Sequence, residues 1–470
     1  MIYANIATPL DVPTIQALIK DSANRRKEMS DLYERYKGGK DGVPILTREY
    51  SIGGEVQKDK INNKLSNDFF SEIVDTKTGF FCGVPIDYGY QDENQTVLDA
   101  IEYFNDINSM SDVDAETAKI ASTCGLCGRL IYVDPDGELR VMVINPWELV
   151  FIGEHGVDEP RATIRYYPEY YFDDDGKKQT RMHVEVYDDV SVRYFVEVKT
   201  DDGKMVLQQE KPDYIHPFAA NPLIGFANNE ELRGDAENVL TLIDAYDRTL
   251  SDINNELEQF RLAYMLFVGV DIAPEDLQKV KKTGAFAIPT SDGDVKFITK
   301  ELDDTVLEHH LERTENNIYR FSKSLNMKDI QFGANLTGVA MAYKIWPFEF
   351  KCKVMEQKFK NSLREQYNIL SSIWTAQGID INYLDVEFTF TRNYPHNLAE
   401  EAQIAAALKG IVSDATILRT LSIVEDPTEE LKAVEEENKK AIEQMQESAL
   451  NMQKNDTESG NQDKQSNLPQ

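Results

Sequence analysis

GDAENVLTLIDAYDRTLSDINNELEQFRLAY, residues 234–264, sets Val239, Ile243, Tyr246, Leu250, Ile253, Leu257, Phe260 and Tyr264 at alternating steps of four and three. That is a heptad seam kept up for about three and a half heptads, the pattern of a helix packed along one narrow face. A second seam follows at Leu307, Leu311, Thr314, Ile318, Phe321 and Leu325. Between them, Tyr264–Thr299 holds an apolar run, a short helix opened by Pro274, and two strands around Asp292-Gly293. Two heptad helices thus flank a small αβ insert, as arms flank a tip. Taken alone, the seams suit an antiparallel helical hairpin or a dimeric coiled coil.

Downstream, residues 326–338 are polar, with two glycines and too little apolar character for a helix. Val339–Gln377 then runs in helical pattern through Met341, Ile345, Phe348, Cys352, Met355, Phe359, Leu363, Leu370 and Trp374. At 1.5 Å rise such a helix spans about 60 Å. Pro347 lies inside it, removes a backbone donor and predicts a kink. A strand at Val386–Thr391 and helices from Leu398 to about Ile442 follow. Tyr394 is the last aromatic residue, and the Asn-, Gln-, Lys-, Asp- and Ser-rich stretch beyond Ala449 reads as disordered.

Upstream, Thr14–Lys37 reads as one helix, and so does Lys58–Phe81, with Ile61, Leu65, Phe69 and Ile73 at steps of four before the breakers Gly83 and Pro85. Thr96–Asn105 and Asp112–Cys124 add two more helices. From Arg129 the period changes to two: Leu130–Val133 and Leu139–Ile144 read as strands joined across Asp134-Pro135-Asp136-Gly137. Asp-Gly recurs at 175–176, 202–203 and 292–293 between β-branched or aromatic runs. It supplies the positive φ values of tight hairpins, so a β-rich part is expected from about Arg129 to Lys211. The fold class is α+β.

The 470 residues carry 82 Asp plus Glu against 50 Lys plus Arg, a net charge of −32. A hydrophobic share of 41% can build a sizeable core. The acidity argues against gripping DNA by phosphate neutralisation, which needs Lys and Arg to displace counterions. Met1–Leu10 lacks the basic-then-apolar pattern of a secretory signal, and the longest apolar stretch, near Leu262–Val270, is short of the about 20 residues that cross a bilayer. Four cysteines make no disulfide framework. A soluble protein of a reducing compartment is expected, with no membrane partner.

No constellation for catalysis stands out. Cys124-Gly-Leu-Cys127 has no second pair of ligands for zinc and no thioredoxin setting, so it reads as two buried cysteines at a tight helix end. Asp134-x-Asp136-Gly137 and Asp173-Asp174-Asp175-Gly176 lack the later ligands of a calcium loop and read as hairpin turns. The alternative for Asp173–Asp175 is a divalent-ion site in a phosphoryl-transfer enzyme. His309 and His310 are adjacent on the second seam and point about 100° apart, so they cannot chelate one ion from a common face. Phosphate-binding glycine loops, nucleophile elbows and His-Glu-x-x-His are absent from the sequence. Neither a cofactor nor a metal is expected.

Several strings, in their order along the chain, carry a resemblance: Asn62-Asn63-Lys64-Leu65 with Phe80 to Pro85; Asn145-Pro146-Trp147; His216-Pro217-Phe218 and Asn221-Pro222; and Leu336-Thr337-Gly338-Val339-Ala340. From about residue 25 to 440 the chain resembles the portal, or head-to-tail connector, family of tailed double-stranded DNA bacteriophages of the siphovirus type. The resemblance implies a wing up to about Arg233, a first stem helix at Gly234–Leu262, a clip at Ala263–Leu302 and a second stem helix at Asp303–Asn326. It further implies a tunnel loop at Met327–Gly338, a kinked wing helix and strand over 339–397, a crown from Leu398 to about Lys440 and a disordered tail over 441–470.

Portals of this family are rings, usually of twelve subunits, at one capsid vertex, so the implied role is a channel for packaging, retaining and ejecting the genome. The implied partners are further copies of the chain, double-stranded DNA in transit, terminase, a head-completion adaptor, and major capsid and scaffolding proteins. The place is the virion, after assembly in the host cytoplasm. Within the loop, Lys328, Gln331 and Asn335 are the expected DNA-facing residues, with Lys328 balanced by Asp329. Asp244, Asp247, Arg248, Asp252, Glu256 and Glu258 are expected to line an acidic stem channel or the contacts between subunits, where repulsion keeps a sliding duplex off the wall. Gly333, Gly338 and Pro347 are the expected hinge. The competing readings are a dimeric coiled-coil scaffold and the phosphoryl-transfer enzyme.

Overall fold

A computed structural model describes residues 2–3, 9–52, 55–57, 60–91, 94–153, 160–260, 264–268, 294–298, 304–326, 328, 338–393, 398–421, 423–424, 430–434, 436 and 439–440. The chain divides into two compact units, Met1–Asn393 and Tyr394–Gln470. The first unit opens with a strand β1 (Ile2–Tyr3) and helices α1 (Val12–Asp21), α2 (Ala23–Tyr36) and α3 (Pro44–Thr47), then the short ribbon β2 (Ser51–Ile52) and β3 (Glu55–Val56). Helix α4 (Phe69–Cys82), strand β4 (Asp87–Tyr90) and helices α5 (Gln95–Asn108) and α6 (Met110–Cys124) follow.

The predicted β-rich part then extends from Leu126 to Ala227. Strands β5 (Leu126–Val133), β6 (Leu139–Ile144) and β12 (Leu223–Ala227) form one antiparallel sheet with β5 in the middle. Strands β7 (Leu149–Ile152), β8 (Ala162–Phe172), β9 (Lys178–Asp188), β10 (Ser191–Lys199) and β11 (Met205–Ile215) form a second sheet, with β1 added in parallel beside β7. Gly137, Gly176 and Gly203 take φ of 89°, 73° and 76°, so the described Asp-Gly turns are the tight hairpins expected. The turn at 292–293 lies outside the described residues, but strands β13 (Tyr264–Val268) and β14 (Asp294–Ile298) pair antiparallel.

Helix α7 (Leu240–Phe260) follows a short 3-10 turn, and α8 (Asp304–Ser322) returns after the insert. Helix α9 (Gly338–Ala376) runs on through Pro347. Its stripe Phe348, Cys352, Met355, Phe359, Leu363, Tyr367, Leu370 and Trp374 is buried throughout, against Phe81, Phe104 and Phe226. Each such side chain withdraws apolar surface worth about 1.5–3 kcal/mol, which makes α9 the mast of the main core. Strand β15 (Val386–Thr389) closes this unit by pairing with β4. The second unit contains α10 (Leu398–Leu408) and α11 (Asp414–Leu418).

Three expectations change. Thr14–Lys37 is two helices meeting at Ser22, whose hydroxyl donates back to Ile19 O, the competition with the backbone that makes serine a poor helix-interior residue. Lys58–Phe81 is helical only from Phe69, since Ser66, Asn67 and Asp68 are residues that favour caps over helix interiors. Finally, of the two readings of the seams, the described residues show the one in which they meet within one chain, but over a shorter length than expected. Val239 and Ile243 at the start of α7 pack with Ile318 and Tyr319 at the end of α8, over Phe69, Phe70, Ile73 and Val74 of α4. Phe321 is left outside this contact and exposed, so the second seam is shorter than its spacing suggests. The end of the chain read as a disordered tail lies outside the described residues.

Candidate channel and assembly surfaces

The face of α7 turned toward the N-terminal part carries Asp247, Ser251 and Asn255, one residue per turn. Against it lies the extended segment 61–68, whose alternate backbone N–H groups are each claimed by one of them. Asn63 N–H donates to Asn255 Oδ1 at 2.6 Å, Leu65 N–H to Ser251 Oγ at 2.9 Å, and Asn67 N–H to Asp247 Oδ1 at 2.9 Å. Two residues of extended chain and four residues of helix advance by nearly the same distance, about 6.6 and 6.0 Å, so the two registers run together. This zipper explains why Asn62-Asn63-Lys64-Leu65 is not helical: its donors serve the stem.

The charged residues of α7 can now be placed. Asp247 is buried and takes a further bond from Asn67 Nδ2 at 2.8 Å, so in the chain it is not an exposed acid of the expected wall. Burial pushes its carboxyl up, while the Asn67 donors work the other way. Asp244 is paired with Arg35. Asp252 pairs with Arg48 at 2.7 Å, and Glu258 accepts from Asn63 Nδ2 at 2.8 Å. Arg248 is exposed and Glu256 half-buried. Four of the five acids therefore bind the chain's own N-terminal part. Counting charges could not show this, because their partners lie roughly two hundred residues away in sequence. Removing the lowest rung, Asp247→Ala, should strand a buried N–H and cost about 1–3 kcal/mol in urea unfolding; an unchanged midpoint would mean the zipper contributes nothing.

Of the loop residues, Gln331, Gly333 and Asn335 lie outside the described residues. Lys328 is on the surface, and its ammonium is held by Glu315 of α8 at 2.7 Å. That hydrogen bond raises the Lys328 pKa. Gly338 opens α9.

Two buried ion clusters were not legible in any motif. Asp235, just ahead of α7, receives Lys77 of α4 at 2.8 Å and Lys351 of α9 at 2.9 Å. Asn228 joins both partners, accepting from Lys77 at 2.6 Å and donating to Asp235 at 3.1 Å. Lys351 also caps α8 by donating to Ser322 O at 2.8 Å. Burial alone would raise the Asp235 pKa, but the two lysines outweigh it and hold the carboxyl well below the carboxylate range. Burial lowers the pKa of Lys351. Gly234 is required here, because a Cβ on it would collide with the Thr123 carbonyl.

The second cluster surrounds Arg129 of β5, fully buried, with Asp114 at 2.6 Å, Thr117 Oγ1 at 2.9 Å and Gln366 Oε1 at 3.1 Å. Its guanidinium lies 4.2 Å from the centre of the Phe226 ring. These clusters fasten α4, α6, β5, α8 and α9 into one frame. Cys124 and Cys127 are buried as expected at the end of α6, where Gly125 takes φ 89°. Burial pushes the Cys127 thiol up to about 12, as for a cysteine packed in apolar surroundings. Asp134 and Asp173 accept backbone N–H groups within their own hairpin turns. His309 and His310 are exposed.

Among the described residues, the buried clusters tie α4, α6, β5, α8 and α9 together, and α7 and α8 pack side by side over α4. The chain belongs to the family described as "Phage portal protein, SPP1 Gp6-like", whose profile matches residues 15–444. The portal protein of Clostridium phage phiCD119 is 26% identical over 459 residues, covering 92% of this chain and 97% of that protein. The portal protein of Bacillus phage SPP1 is 25% identical over 408 residues, covering 83% and 79%. Among solved structures, a chain in the neck of an empty gene transfer agent particle is 12% identical with a TM-score of 0.43, covering 75% of this chain and 89% of that one. Portal proteins are non-enzymatic virion components, and no described helix is long and apolar enough to cross a membrane.

Proposed function

We propose that copies of this chain close into a ring at one vertex of a phage capsid, and that the viral genome is packaged, retained and ejected through its centre. The observation that carries the reading is the family match over residues 15–444. The heptad stem supports it, since Leu257 near the end of α7 is exposed and available to a neighbouring copy. So does the net charge of −32, because a strongly acidic chain does not hold a duplex by neutralising its phosphates, which suits DNA that must slide. Terminase and the head-completion adaptor dock, on this reading, at the insert 263–302. Major capsid and scaffolding proteins meet the outer parts, and assembly takes place in the host cytoplasm before the ring enters the virion. Deleting 274–291 should leave rings intact and abolish adaptor capture in a pull-down; retained capture would move the docking site elsewhere.

The loop 327–338 is assigned to the channel, with Lys328, Gln331 and Asn335 meeting the passing duplex. Glu315 neutralises Lys328 in each subunit, so a belt of these pairs exerts little net pull on DNA. Gly333, Gly338 and Pro347 are assigned as the hinge that lets the loop follow the duplex. Replacing Lys328, Gln331 and Asn335 together by Ala should leave the ring mass unchanged and lower DNA packaged per particle severalfold. Wild-type packaging in that variant would take the loop out of the mechanism.

A further inference from the structure

Beside the Asp235 cluster, a cavity of about 280 Å³ opens between the end of α8 and the first half of α9. Its charged lining is Lys77, Arg233, Lys323 and Lys351 against Glu231 and Asp235. That is an excess of two positive charges in a chain whose overall balance is strongly negative. The single carboxylate of Asp235 is already shared by two lysines. Lys323 stands just past the end of α8 with φ 55°, and its ammonium has no ion-pair partner among the described residues.

The wall of the cavity is aromatic. Phe321 and Phe350 line it, yet they are 54% and 62% exposed. Phe350 continues a stripe with Trp346 (65%) and Tyr343 (67%). Steps of three and four put these rings on one face of α9. This face lies in the first half of the helix, overlapping the start of its buried stripe at Phe348, and that half contains Pro347, which disfavours a helix interior by about 3 kcal/mol. A helical half with an uncovered aromatic face and a proline gains its support from a partner. The partner must offer an apolar surface and, at the cavity end, a negative charge.

We propose that this cavity and stripe receive a second copy of the chain, with one of its Asp or Glu carboxylates entering the cavity to pair with Lys323 and an apolar segment lying on Phe350, Trp346 and Tyr343. The inference rests on the ring reading above. Charge complementarity selects the occupant: the cavity is cationic, and the chain brings 82 carboxylates to every neighbour. Duplex DNA fits less well. Its phosphates are spaced about 1.7 Å apart along a rigid rod, whereas Lys77 is fully buried and Lys351 mostly so, in a cavity of side-chain size.

The test mixes ordinary and nitrogen-15-labelled full-length chains, lets them assemble, and couples neighbouring amines and carboxylates with a carbodiimide. Peptides joining Lys323 of one isotope to an Asp or Glu of the other are expected from the assembled fraction. Lys323→Glu and Phe350→Ser should each raise the concentration needed for assembly at least tenfold, and Lys323→Ala less, with monomer unfolding midpoints unchanged. Normal assembly of these variants, without mixed-isotope coupling at Lys323, overturns the proposal and leaves the ring standing. A wild-type chain that never assembles overturns both. Loss of duplex DNA binding in Lys323→Glu with assembly intact assigns the cavity to nucleic acid and overturns the proposal as stated.

Discussion

Asp235→Asn should lower the unfolding free energy at neutral pH by roughly 3–5 kcal/mol, the size expected when one partner of a buried ion cluster is removed. The variant keeps the shape and loses the charge, so Lys77 and Lys351 face one another across a neutral amide. Both are anchors, one from α4 and one from α9, and Lys351 also holds the end of α8. The dependence on acid follows from the sign of the Asp235 shift. Its folded pKa lies below its unfolded value, so its contribution is complete above about pH 4 and fades as pH falls toward the folded value. The deficit of the Asn variant should therefore be largest at neutral pH and shrink in acid. A deficit under 1 kcal/mol in urea titration at pH 7 would show that the cluster is not a fastening.

Arg129→Met should be comparably damaging, again roughly 3–5 kcal/mol, for the opposite reason: it strands a buried acid. Asp114 would lose its counter-charge, and Gln366 and Thr117 would lose their partner between α6 and α9. Burial already raises the Asp114 pKa, with Arg129 restraining it. Without Arg129 the carboxyl rises further and accepts a proton in milder acid. The deficit of this variant should hence begin to shrink at a higher pH than that of Asp235→Asn. The two pH profiles of urea midpoints distinguish the clusters; superimposable profiles would refute the assignment of opposite shifts.

These two centres also mark the limit of what the sequence made legible. Periodicity identified α7, α8, α9 and the β5–β6 hairpin, because a seam or an alternation is written in neighbouring residues. Asp-Gly identified the turns, because positive φ is a local demand. Lys77, Arg129 and Asp235 carry no signal in the sequence, since their partners lie as far as 237 residues away and no spacing links them. The same blindness hid the partners of the charges on α7. Asp244, Asp247, Asp252 and Glu258 share a helix with exposed residues, and only the packing of Arg35, Arg48 and segment 61–68 against α7 shows that the chain itself engages them. That path was hidden by apolar residues at steps of four, Ile61, Leu65 and Phe69, which imitate a helix where hydrogen bonding favours an extended segment. For the loop, Lys328 was legible as an exposed cation, but its Glu315 partner was not.

The central claim is that this chain closes into a ring through which DNA passes, and the mass of the assembled protein tests it most directly. One chain is 53.6 kDa. Size-exclusion chromatography with light scattering on the full-length protein should give a single species many times that mass. A stable species at twice the chain mass would instead establish a dimeric coiled coil and contradict the ring.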